Sequence, residues 1–262
     1  MTHATTAPEK LSTVSVDPRE MESFSRMAEN WWDPTGPFKP LHVMNGARLG
    51  FIRDTLCAHF HRDPNAVLPL KGLRILDIGC GGGLLAEPVS RLGATVVGVD
   101  ALEKNVKTAK THAIETGADV DYRHGTIEQM VGRLSQSGAD APFDAVLNME
   151  VIEHVVDPAE FMKDCGAMVR EGGVIICSTI NRTAKAFLLA IVGAEYVMRW
   201  LPRGTHQYDK LVKPAEIQSY LRGAGLTPQP SVGMTLNPLT DKWSFSNDLG
   251  INYVTVGIKG SE

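Results

Sequence analysis

The chain has 262 residues, 43% hydrophobic and 21% charged, with a net charge of −4. That apolar content can build one sizeable core, and the lack of a basic balance or stripe argues against a nucleic-acid partner. The four cysteines, Cys57, Cys80, Cys165 and Cys177, form no CxxC pair and read as reduced thiols of a cytosolic protein.

Residues 1–16 lack the charged and apolar regions of a secretory signal and read as a disordered leader. A single domain is expected over 17–262. Helices are predicted at 17–32 and 45–61, separated by the Pro/Gly-punctuated loop WWDPTGPFKPLH. Strand-like runs then fall at 74–78, 95–99, 120–123, 143–148 and 174–179, with helix-like segments at 84–91, 102–116 and 159–169. After a helix at 214–223, strand-like runs at 231–236, 242–246 and 252–259 carry turn signals between them. The alternation predicts a doubly wound α/β fold, with a mostly parallel seven-stranded sheet and an antiparallel C-terminal strand pair. No stretch reaches the roughly 18 apolar residues of a membrane span.

The first strand runs into RILDIGCGGG, with Asp77 at its end and Gly79, Gly81, Gly82 and Gly83 beyond. A dinucleotide fingerprint needs a third glycine or alanine where this chain has Leu84, and a pyrophosphate would not welcome Asp77. A smaller cofactor with a positive centre, S-adenosylmethionine, fits better. The second strand, ATVVGVD, ends in Asp100, where a carboxylate can accept both ribose hydroxyls. Taken alone, Asp100 could equally cap a helix and Asp77 form a turn.

The stretches LDIGCGGG, VVGVD and FDAVLNMEVIEHVVDP resemble the class I S-adenosylmethionine-dependent methyltransferases. NWWDPTGPFKPLH, VGAEYVMRWLPRGTHQYDKLVKPAEI and NPLTDKWSFSNDLGINYV look like the bacterial 3-demethylubiquinol 3-O-methyltransferase family, over about residues 20 to 258. The resemblance implies cofactor contacts at Arg48, Gly79, Asp100 and Met149, to which the residue reading adds Asp77 and Gly81. It also implies a polyprenylated phenol or quinol substrate and a divalent metal. Membership in a pathway complex is left open.

Met149 is followed by Glu150, Glu153 and His154, at i, i+3 and i+4. If the segment is helical from Met149 onward, the three project from one face beside the cofactor. Two carboxylates and an imidazole can then hold a metal, Mg²⁺ being favoured by the family although a His ligand leans toward softer ions. A second reading gives His154 a general-base role without metal, with Glu150 also catalytic. Acids in a first helical turn can instead simply favour the helix dipole. His206 is a further candidate on the acceptor side.

Residues 183–204 form an insert. At 100° per residue Lys185, Glu195, Arg199 and Arg203 share an arc of about 80°, and Phe187, Ile191, Tyr196 and Trp200 lie elsewhere. Such a face suits an anionic membrane surface, or equally a cover over the site. With the resemblance, the expectation is a cytoplasmic protein held peripherally at the inner face of the membrane. The alternatives are a methyltransferase acting on another small phenol or acid, and a non-catalytic lipid-binding scaffold.

Overall fold

Five Val- and Ile-rich runs become the parallel strands of one sheet in the computed structural model, which describes residues 15–137, 142–188, 208–237, 240 and 242–260. These are β1 (Arg74–Ile78), β2 (Thr95–Asp100), β3 (Val120–His124), β4 (Phe143–Met149) and β5 (Val169–Ile180), in the spatial order β3-β2-β1-β4-β5. All but the edge strand β3 are largely buried on both faces, because helices cover both. On one face α2 (Lys39–His59), α3 (Ala86–Arg91) and α4 (Glu103–Thr116) bury Ile52, Val89 and Ala109 with Ile75, Leu147 and Ile176. On the other, α5 (Ile127–Ser137), α6 (Pro158–Ala167) and α8 (Pro214–Gly223) bury Met130, Phe161 and Ile217 with Leu76, Val97 and Val146. Two short pieces complete the helices, α1 (Pro18–Met27) and the single turn α7 (Ala184–Ala186).

Local chemistry fixes several boundaries. Asp157 caps α6, accepting hydrogen bonds from the amides of Ala159 and Glu160 at 3.0 and 3.1 Å, with Pro158 in the first turn. Gly117 ends α4 in the left-handed conformation, at φ 65°.

The sheet has nine strands among the described residues, not seven. Beyond β5 lie β6 (Leu226–Pro228), β7 (Val232–Asn237), β8 (Lys242–Ser246) and β9 (Asn252–Lys259). β9 pairs antiparallel with β5 along one side and with β6 and β7 along the other, and β8 closes the edge against β7. The three-residue β6 ends in Pro228, which hides it from a strand pattern. Helix α5 was not anticipated, although Ile127, Met130, Val131 and Leu134 stand at helical spacing and pack on the core. The expected first helix divides into α1 and a 3₁₀ turn at Ala28–Asn30, and α2 starts within the expected loop, where Pro40 occupies its first turn.

The expected insert is described only as far as Leu188; the rest of it, and His206, lie outside the described residues. At the other end, Ser15 and Val16 already belong to the fold. Val16 forms an isolated bridge with Val155, and the Val156 amide donates to the Ser15 carbonyl at 3.1 Å.

Candidate active site

The strand order reverses between β1 and β4, and ligands of such sheets bind beyond the strand ends at that reversal. A cavity of about 750 Å³ opens there. Gly79, Asp100 and Met149 floor it; Glu150, Glu153 and His154 form one side; Met234, Trp243 and Asn252 form another. Its roof is the N-terminal segment, including Glu20, Phe24, Trp31 and Phe38.

The glycine loop is shaped as the sequence required. Gly79, Gly81 and Gly83 take positive φ of 68°, 54° and 88°, which side chains rarely adopt. The amides of Gly79 and Cys80 donate to the Val99 carbonyl at 2.8 and 3.1 Å, tying the loop to β2. A methyl on Gly79 would lie 2.6 Å from Val151, and one on Gly81 or Gly82 would meet Trp31 at 2.3 or 2.4 Å. The roof therefore packs directly on the loop. Trp31 stacks on Phe38 at 3.8 Å and donates its indole N–H to Asn105 at 2.9 Å. Trp32 donates to the Gly82 carbonyl at 2.9 Å and stacks on His112 at 3.4 Å.

Asp100 is both a cap and a cavity residue. Its carboxylate accepts from the Leu102 amide (2.8 Å), Asn105 (3.1 Å) and the Gly81 amide (2.9 Å). Burial pushes its pKa up, and these three donors hold it back. Arg48 and Asp77 do not line the cavity; they are buried behind its wall. Arg48 is 4% exposed, donates to Asn45 at 3.3 Å, and leaves its Nε without a partner. Burial pulls its pKa down, while the charges of Glu150 and Asp77 hold it up. A buried guanidinium with an unmet donor fits an anionic group such as the methionyl carboxylate. Gly81 lies under the roof and acts through the hydrogen bond that its backbone N–H donates to Asp100.

The stretch after Met149 overturns one expectation. No α-helix begins there. Glu150 sits at φ 58°, a left-handed conformation uncommon for a glutamate, and a 3₁₀ turn follows at Ile152–His154. The three acidic and basic side chains consequently diverge. Glu150 accepts from Ser178 Oγ at 2.7 Å and from Asn252 Nδ2 at 3.5 Å. Glu153 accepts from Thr179 at 2.9 Å, and its other oxygen is buried without a partner. His154 bonds through Nδ1 to Glu20 Oε2 at 3.2 Å and lies edge-on to Phe24. Among the described residues no group of three or more His, Cys, Asp or Glu side chains is gathered to hold a metal ion. This arrangement does not fit a three-ligand Mg²⁺ site, and no chemical step is routed through one.

The His154–Glu20 pair extends to Lys210, which contacts Glu20 at 3.2 Å and Asp17 at 2.8 Å. The roof helix α1 is thereby latched to the site. Burial alone would lower the His154 pKa; the hydrogen bond to Glu20 and the charges of Glu153, Glu20 and Glu150 raise it above the usual imidazole value. Burial would raise Glu20, but His154 and Lys210 bring it below the usual carboxylate value. The carboxylates around His154 thus favour its protonated form, against the effect of burial. Sequence reasoning missed Glu20, Trp31, Ser178 and Asn252. The Trp31–Trp32 doublet was the visible signal; the others enter the site only through tertiary docking.

A family model described as a methyltransferase domain matches residues 50–230. The ubiquinone biosynthesis O-methyltransferase of Maricaulis maris is 55% identical over 253 residues, covering 97% of both chains. Its namesake from Mesorhizobium japonicum is 54% identical, covering 94% of this chain and 97% of its own. The chain belongs to the ubiquinone biosynthesis O-methyltransferases. Among solved structures, magnesium protoporphyrin IX methyltransferase from Synechocystis with bound SAH is 21% identical, with a TM-score of 0.55, covering 80% of this chain and 83% of that one. A possible histamine N-methyltransferase from Thermotoga maritima is 20% identical, with a TM-score of 0.55, over 92% and 98% of the two chains. At that identity the two structures establish the fold, that of the class I methyltransferases. Fold and family together make the chain an S-adenosylmethionine-dependent O-methyltransferase.

Proposed function

We propose that this family member methylates a ring hydroxyl of a polyprenylated catechol or demethylubiquinol-type intermediate of ubiquinone biosynthesis, with Glu150 as the proton acceptor. The family supports the substrate class. The observation that carries the site is Glu150 itself, a carboxylate bordering the cavity at the end of β4, on a left-handed backbone and pinned by Ser178. Backbone strain of this kind persists where surrounding structure enforces it, and it is concentrated at functional sites.

A phenol has a pKa of about 10, so ionising it at pH 7 costs roughly 4 kcal/mol. Two residues reduce that cost. Glu150 takes the proton, and the His154 ring, oriented by Glu20, stabilises the developing phenolate. S-adenosylmethionine, when bound, supplies a methyl on a positively charged sulfur. Asp100 would accept its ribose hydroxyls, Met149 would pack against it, and Arg48, from behind the wall, would supply positive charge toward its carboxylate. Gly79 and Gly81 shape the loop between them, and the carboxylate of Asp77 offsets Arg48 behind the wall. The roof residues Trp31 and Phe38 exclude water, which strengthens each electrostatic contact inside.

Glu150→Gln tests this. It is expected to lower kcat on a short-prenyl catechol about 100-fold, with the Kd for S-adenosylmethionine by calorimetry close to the parent value. Turnover near the parent rate would remove Glu150 as the base. A membrane-resident substrate also calls for contact with an anionic bilayer at the cytoplasmic face. We place that contact in 183–204, supported by the sequence pattern and by the exposure of Phe187 and Leu188 where the segment begins.

A further inference from the structure

Asn252 opens β9 and sits between two neighbours, in register with Ile180 of β5 and Met234 of β7. It is 5% exposed yet lines the cavity. Its one side-chain hydrogen bond among the described residues is the 3.5 Å contact from Nδ2 to Glu150 Oε2. The opposite amide orientation would set two oxygens against each other, so the nitrogen faces Glu150. Among the described residues the carboxamide oxygen and the second N–H have no protein partner, and the side chain opens onto the cavity, where a ligand can meet them.

The surroundings define what that ligand is. Met234, Leu236, Trp243 and Ile251 give this part of the cavity apolar walls suited to an aromatic ring. Glu150 and Asn252 are the polar pair within them. Adjacent oxygens on one ring lie about a hydrogen-bond length apart, and Glu150 and Asn252, in contact at 3.5 Å through Oε2 and Nδ2, border the same part of the cavity.

We propose that Asn252 is the specificity-determining residue of the acceptor site, binding the ring oxygen next to the one that is methylated. The pair reads two neighbouring oxygens: Glu150 takes the proton from one hydroxyl, and the carboxamide of Asn252 hydrogen-bonds the other. A ring with a lone hydroxyl leaves the carboxamide unmet, and sites built to bond a hydroxyl reject analogues that lack it. This inference rests on the acceptor class given under the proposed function.

The test compares two short-prenyl acceptors, a catechol and the same ring with the neighbouring hydroxyl replaced by hydrogen. The parent protein is expected to favour the catechol in kcat/KM by about tenfold or more. Asn252→Leu is expected to raise the catechol KM and bring the ratio of the two acceptors toward one, with the Kd for S-adenosylmethionine unchanged. Asn252→Ser, which keeps a short hydrogen-bonding group, is expected to retain part of the preference. Equal losses on both acceptors would overturn the inference, as would a parent ratio near one, which needs no variant to fold. If the parent methylates neither acceptor, the proposed function itself fails and takes this inference with it.

Discussion

Asp77 shows how far the strand ends are tuned. It is 3% exposed, and one carboxylate oxygen has no partner. Burial pushes its pKa from 3.8 to about 7; Arg48 pulls it down and Asp100 pushes it up. The folded protein therefore keeps this proton at pH values where the unfolded chain has released it. Its contribution to stability is fully present below about pH 4 and is lost as pH rises toward 7. Asp77→Asn should flatten that slope, by up to about 1.4 kcal/mol per pH unit, in denaturant melts compared at pH 5 and pH 8. Identical slopes in the two proteins would place the pH dependence elsewhere. Asp77, Gly79 and Asp100 could be found in the sequence because a strand end is a position along the chain. Glu20 and Asn252 could not, since they reach the site only when α1 and β9 dock. Nor is the geometry of Glu150 foreseeable, because a glutamate's own preference runs against positive φ.

At the scale of elements, the roof and the glycine loop act as one unit. A methyl on Gly82 would stand 2.4 Å from Cβ and Cγ of Trp31, and Gly82 lacks the positive φ of its neighbours. Gly82→Ala therefore displaces the roof without straining the loop. The expected result is a loss of about 1–3 kcal/mol of stability, faster hydrogen exchange over residues 27–44, and weaker binding of S-adenosylmethionine. Adding Trp31→Gly, which removes both atoms the methyl would meet, should recover part of the exchange protection, as expected for two groups in direct contact. Unchanged exchange in Gly82→Ala would mean the two do not press together. The expected loop WWDPTGPFKPLH is a break in helix only as far as Phe38, and its role was not foreseen. Proline and glycine announce a break in helix; they do not say that two tryptophans in that break will lie on a glycine loop some fifty residues away.

For the molecule as a whole, alternation of strand and helix was enough to predict a doubly wound sheet, because burial on both faces writes itself into composition. The additions it missed, α5 and β6, are short or interrupted and leave weaker patterns. The proposed membrane contact is also a whole-molecule property. None of the helices among the described residues is long and apolar enough to cross a bilayer. Phe187 is 41% and Leu188 59% exposed, and Phe187 meets Tyr208 edge-on at 5.6 Å, bracketing the segment between them. Deleting residues 187–197 should reduce co-sedimentation with anionic liposomes while leaving the cofactor's Kd unaltered. Equal co-sedimentation of both proteins would move the contact elsewhere.

The position of β9 has a consequence for synthesis. The five parallel strands and the glycine loop are complete once Ile180 has emerged, whereas Ile251 and Asn252, on the acceptor side of the cavity, are made after every other strand. β9 then inserts between β5 and β7 rather than adding at an edge. A ribosome stalled after β8 thus leaves a cofactor loop with no acceptor wall beside it and the flank of β5 open to wrong partners. On the proposed acceptor site, methyl transfer becomes possible only when that gap in the sheet is filled.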